Sequence, residues 1–85
     1  MEEKIKKKLV EKIKSKHVLI GYNSTVRASK NGELEFVVYA SNINPGIRSK
    51  LENIDVPKYE YDGDSEALSI ACGKSFNIAV LGVKK

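Results

Sequence analysis

Among its 85 residues the chain has two prolines, no tryptophan, one cysteine and one histidine, and the last two scarcities each remove a class of function. A lone thiol, Cys72, cannot close an internal disulfide or build a cysteine-based zinc site. Its apolar helical surroundings favour a small buried side chain over a nucleophile. A lone imidazole, His17, has no second histidine for a metal pair and reads as a surface junction residue. No apolar run approaches the roughly 20 residues of a membrane span. The lysine-rich start is followed by Ile5, Leu9, Val10 and Ile13 at helical intervals rather than by the solid apolar block of a secretory signal. A soluble, intracellular protein without a membrane partner is expected. The six glycines are scattered singly, so neither a phosphate-binding glycine loop nor a nucleophile elbow is present.

What remains is a chain of one-domain size, residues 1–85, whose hydrophobic share of 41% suffices for a single core. Fifteen Lys+Arg stand against eleven Asp+Glu, for a net charge of +4. That excess is too modest to prove nucleic-acid binding, but its distribution is uneven. Glu52, Asp55, Glu60, Asp62, Asp64 and Glu66 crowd the second half, while lysines dominate the first.

Hydrophobic spacing predicts an amphipathic helix from Glu2 to about Lys16. Its run Lys6-Lys7-Lys8 could touch phosphates or be only a solvated face. A short strand over 17–20, a helix over 23–31 stopped by Gly32 and a strand over 33–40 follow. The nearly continuous apolar core of that second strand suggests a central position covered on both faces. A helix after Pro45 over 47–53, a strand over 56–61, a helix over 65–71 and a strand over 78–83 complete the order. Alternation of this kind predicts an α/β fold, a three-layer α/β/α sandwich around a four-stranded mixed sheet. Ligand sites in such sheets lie at the loops that leave strand ends and enter helices.

The segment Gly21-Tyr22-Asn23-Ser24-Thr25-Val26-Arg27 is where chemistry concentrates. A strand that meets a glycine and then a helix start exposes free amides and a positive dipole end. Asn23 can read a base edge or serve only as the helix cap, and spacing alone leaves the two even. Ser24 and Thr25 can bond phosphate oxygens or support the cap. Arg27, one turn on, offers a guanidinium suited to phosphate or guanine. Phe76 sits in the loop Lys74-Ser75-Phe76-Asn77-Ile78, where an aromatic beside a lysine can stack on an unpaired base or fold back onto the core. Asp62, Asp64 and Glu66 are explained by a capping turn without any metal or enzymatic role. No catalytic, cofactor or metal residue is expected.

The Gly21–Arg27 motif, the strand end Tyr39-Ala40-Ser41-Asn42-Ile43-Asn44-Pro45 and the stretch Cys72-Gly73-Lys74-Ser75-Phe76-Asn77-Ile78-Ala79-Val80 resemble a family. They are similar to large-subunit ribosomal proteins of the L-thirty-e type in archaea and eukaryotes. These belong to the wider L-seven-Ae superfamily of kink-turn RNA binders. The resemblance runs in order from Lys12 to Val83. It implies a non-enzymatic, cytoplasmic, ribosome-associated protein, monomeric when free, that docks on a kink-turn or similar loop of ribosomal RNA beside neighbouring ribosomal proteins. It also implies that Gly21 allows close backbone approach, Asn23 reads guanine edges, and Ser24 and Thr25 support the backbone contact. Arg27 then engages phosphate or base, Asn42 contacts the bulged region, and Phe76 and Ile78 pack on extruded bases, with Lys74 beside Phe76 among the expected RNA-binding residues. Two departures stand out: Asn23 is typical of the broader superfamily rather than the ribosomal branch, and only Gly46 to Asn53 is left for a third helix. The alternatives are a superfamily subunit of a guide ribonucleoprotein or ribonuclease P, and a protein–protein adaptor using the acidic half.

Overall fold

The computed structural model describes residues 3–85, so the expected helix start at Glu2 lies outside the described residues. Eight elements alternate without exception: α1 (Glu3–Lys14), β1 (Val18–Ile20), α2 (Tyr22–Lys30), β2 (Leu34–Tyr39), α3 (Pro45–Leu51), β3 (Lys58–Glu60), α4 (Ser65–Ala71) and β4 (Val80–Lys84). The sheet order is β1-β4-β2-β3, with β2 and β3 parallel and the other pairs antiparallel. This is the expected mixed sheet, and β2 is central.

Helices cover both faces, because the strand side chains alternate. On one face Leu9 of α1 and Leu68 of α4 pack against Phe36, Val38, Leu81 and Val83. On the other, Ala28 of α2 and Leu51 of α3 pack against Leu34, Val37 and Val80. Phe36 and Tyr59 add an edge-on ring contact at 5.6 Å on the α1/α4 face. A one-residue register shift between Leu34 and Phe36 marks a bulge in β2. There Glu35 pairs with Lys8 and Lys12 of α1.

Three helices end alike. After α2 and α4, Gly32 and Gly73 take left-handed φ values of 69° each, with amides bonded back to Ser29 and Ile70 carbonyls. After α1 the same position holds Lys16, at φ 61°. Its amide bonds to the Ile13 carbonyl and that of His17 to Lys12. His17 is exposed at this junction, its Nδ1 2.9 Å from Ser15 Oγ.

Some expected boundaries move for physical reasons. α3 begins at Pro45 rather than residue 47, because the Asn44 side chain caps it by accepting from the Gly46 amide at 2.7 Å. It is short, and Lys58 secures the descent from it by donating to the Ile54 and Val56 carbonyls at 2.7 and 3.1 Å. β3 and β4 are shorter at their starts than the apolar pattern predicts. Ile78 donates its amide to the Ser65 carbonyl at the start of α4, so pairing in β4 begins only at Val80. Cys72 is the half-buried C-cap of α4 rather than a buried residue within it.

Candidate nucleic-acid interface

Register places four loops at one pole of the sheet. β1, β2 and β3 all run towards it and β4 runs away from it, as the pairs Ile20↔Leu81, Tyr39↔Val80 and Tyr39↔Glu60 require. Bonds beyond the strands close the pole: Gly21 N–H to the Val80 carbonyl (3.0 Å), Ala40 N–H to Ala79 (2.9 Å) and Ser41 N–H to Gly63 (3.0 Å). The loops after β1, β2 and β3 and the loop before β4 are thereby neighbours. They carry Gly21–Arg27, Asn42, Asp62–Ser65 and Lys74–Ile78.

The start of α2 is built from backbone rather than from a side-chain cap. Gly21 is the N-cap at φ 98° and ψ 156°, a conformation closed to L side chains, and no side chain caps the helix. The cap reading of Asn23 is thereby corrected. Asn23 lies inside the first turn of α2, and Gly21 leaves it no capping geometry. Its side chain is exposed, as are those of Ser24 and Arg27. The amides of Tyr22, Asn23 and Ser24 precede the first intrahelical bond, Thr25 N–H to the Gly21 carbonyl at 3.2 Å, and find no hydrogen-bond partner among the described residues at the dipole's positive end.

Thr25 behaves differently from its neighbours. It is fully buried, and its hydroxyl donates to the Gly21 carbonyl at 2.8 Å. It supports the turn from beneath and has no surface to offer a phosphate. What holds it is Gly82 of β4: a Cβ there would lie 2.9 Å from Thr25 Oγ1 and 3.1 Å from Leu34 Cδ2. Sequence reasoning missed this contact. Its signal was a glycine inside the apolar strand Val80-Leu81-Gly82-Val83, which often marks close approach of another element.

Asn42 ties two loops together. Its Oδ1 accepts from the Ser65 amide at 2.9 Å, and its Nδ2 lies 3.5 Å from Ser65 Oγ. It positions the start of α4, while Asp64 caps the same helix by accepting from the Ala67 amide at 2.9 Å. Asp64 thus serves α4 as a cap, as the sequence suggested. In the last loop Lys74 is exposed and Phe76 keeps 54% of its surface in solvent, so Phe76 does not fold back onto the core. Ile78 corrects an expectation: at 2% exposure it belongs to the core beneath the loop and cannot pack on a base. Its buried side chain anchors the segment that displays Phe76.

Such a pole presents free amides, an amide side chain, a guanidinium, an ammonium and an exposed ring, all on short, well-supported loops. The family model for the ribosomal protein L7Ae/L30e/S12e/Gadd45 family matches residues 3–85. The chain belongs to this family. Its relatives include the large ribosomal subunit protein eL30 of Methanosarcina mazei, 40% identical over 98% of this chain and 81% of the relative. The eL30 of Methanothrix thermoacetophila is 34% identical over 93% of this chain and 77% of the relative. A fungal relative, eL30B of Schizosaccharomyces pombe, is 32% identical over 93% and 71%. Among solved structures, a Bacillus halodurans protein of unknown function superposes with a TM-score of 0.80 at 26% identity, over 91% of this chain and 80% of that one. The Giardia lamblia 15.5kD RNA binding protein shares the fold at a TM-score of 0.75 and 22% identity, over 100% and 78%.

Proposed function

We propose that the chain is a structural constituent of the large ribosomal subunit, of the eL30 type, that binds and stabilises a kink-turn or similar internal loop of ribosomal RNA. Its work is binding rather than turnover, in the cytoplasm, on the ribosome. The observation that carries this reading is the pole itself, where the open start of α2 lies beside the loops bearing Asn42, Lys74 and Phe76. Asn23 and the first amides of α2 meet base edges and backbone of the kink, Ser24 and Arg27 flank it, and Phe76 stacks on an extruded base. Thr25, Asn42 and Ile78 hold those groups in place. Because the surface is assembled before RNA arrives, it selects the sharply bent RNA conformer and shifts the population towards it.

The test is a gel-shift titration against a kink-turn RNA and a variant with its sheared G·A pairs replaced. Selective binding to the intact RNA, lost in Asn23→Ala, is the expected outcome. Equal affinity for both RNAs overturns the reading.

A further inference from the structure

The pole leaves β1 unexplained. β1 is an edge strand with β4 as its one neighbour among the described residues. The bonds Gly21 N–H to Val80 and Lys84 N–H to His17 bracket their register, so the His17 carbonyl, the Leu19 amide and carbonyl and the Gly21 amide are directed towards β4. By alternation, the amides and carbonyls of Val18 and Ile20 face out of the sheet. All three β1 side chains are only half-buried.

A cleft borders this edge on each face of the sheet. On the α1/α4 face it measures about 320 Å³, floored by Ile13, Val18, Ile20 and Cys72 and rimmed by Lys16 and Lys74. On the α2 face it measures about 210 Å³, where Leu19 meets Arg27 and Lys84, with Glu33 as the one carboxylate. Four cations and one anion thus surround an apolar, open strand. The opposite edge is guarded: Pro57 enters β3, and Lys58 turns its ammonium inward onto backbone carbonyls. Lys16 adds a separate clue. It occupies the left-handed position that glycine fills after α2 and α4, at the rim of the α1/α4-face cleft.

We propose that the β1 edge receives an extended acidic segment of a partner protein by strand addition. Outward amides and carbonyls call for a peptide backbone, the apolar floor for alternating apolar side chains, and the four cations for carboxylates between them. An RNA strand would answer the cations but neither the floor nor the backbone groups. The edge shares Arg27 and Lys74 with the pole but neither Asn23 nor Phe76, and its outward backbone at Val18 and Ile20 belongs to it alone, so failure of kink-turn binding leaves the proposal standing.

The experiment titrates the whole chain with a labelled peptide of alternating valine and glutamate, following anisotropy and amide exchange. Parallel titrations use a lysine-for-glutamate peptide, an N-methylated peptide and single-stranded oligouridylate. Expected are binding of the acidic peptide, slowed exchange of the Val18 and Ile20 amides, and loss of both with the other two peptides. Lys16→Gly, which suits the left-handed backbone and so keeps the fold, should weaken the peptide up to about fivefold, the size of one exposed ion pair. No binding of the acidic peptide, equal binding of the N-methylated one, or protection of those amides by oligouridylate alone overturns the proposal.

Discussion

Gly82 and Thr25 show how one atom of clearance positions an interface. The Thr25 side chain fills the space above Gly82 and simultaneously grips the Gly21 carbonyl, so the start of α2 is registered against β4. Gly82→Ala forces a methyl group into the buried Thr25 and Leu34. We expect a loss of about 1–3 kcal/mol in urea unfolding, the range of overpacked cores. RNA affinity should fall with it. Cys72 makes a second prediction at this scale. Burial raises its thiol pKa above the ordinary 9.0, with nearby Lys74 acting in the opposite sense. The folded chain therefore holds the thiol proton more tightly than the unfolded chain does. Stability from this group is present below the ordinary thiol pKa and declines as pH climbs through the folded value. Urea midpoints of the native chain should fall more steeply above pH 9 than those of Cys72→Ala; parallel curves would refute this.

Among the elements, helix ends are the most legible features. Asn31-Gly32 and Gly73 stop α2 and α4 as the residues indicate, because a left-handed turn needs little beyond its own neighbours. The end of α1 breaks that rule with Lys16. Lys16→Gly should raise stability by about 1 kcal/mol, since L residues carry a cost of that order in this conformation. Thermal unfolding would check it. Helix starts proved less legible. Asn23 resembles a cap by type and position, yet Gly21 holds the N-cap position, braced by the Thr25 hydroxyl that donates to its carbonyl, and the place of Thr25 depends on Gly82, 57 positions further along the chain (82 minus 25). At α4 the Asp64 cap was readable, but the support from Asn42 was not, being 23 residues away. Asn42→Ala should loosen the start of α4, costing about 1 kcal/mol as cap losses do.

For the whole molecule, charge placement decides how binding responds to salt. Arg27 extends from the helix that opens the candidate interface, and among the described residues nothing pairs with its guanidinium. Lys7 sits on the exposed outer face of α1, in the helical layer opposite α2. Arg27→Ala should weaken kink-turn binding and reduce the salt slope by about one counterion, whereas Lys7→Ala should leave both nearly unchanged. Equal losses would replace a localised site with a diffuse basic surface.

The residues by themselves determined the alternating order of elements, the three-layer class and the motifs of the family, because periodicity, turns and caps are decided within a few positions. They also pointed to Phe76 as an anomaly, and the loop does leave it exposed. Only the tertiary structure decided that Ile78 and Thr25 turn inward while Asn23 and Arg27 face out. It alone ordered the sheet as β1-β4-β2-β3, gathering four loops at one pole and leaving β1 open at its edge. Strand pairing joins residues far apart in sequence, and an alternating apolar pattern names the buried face of a strand without naming its partner.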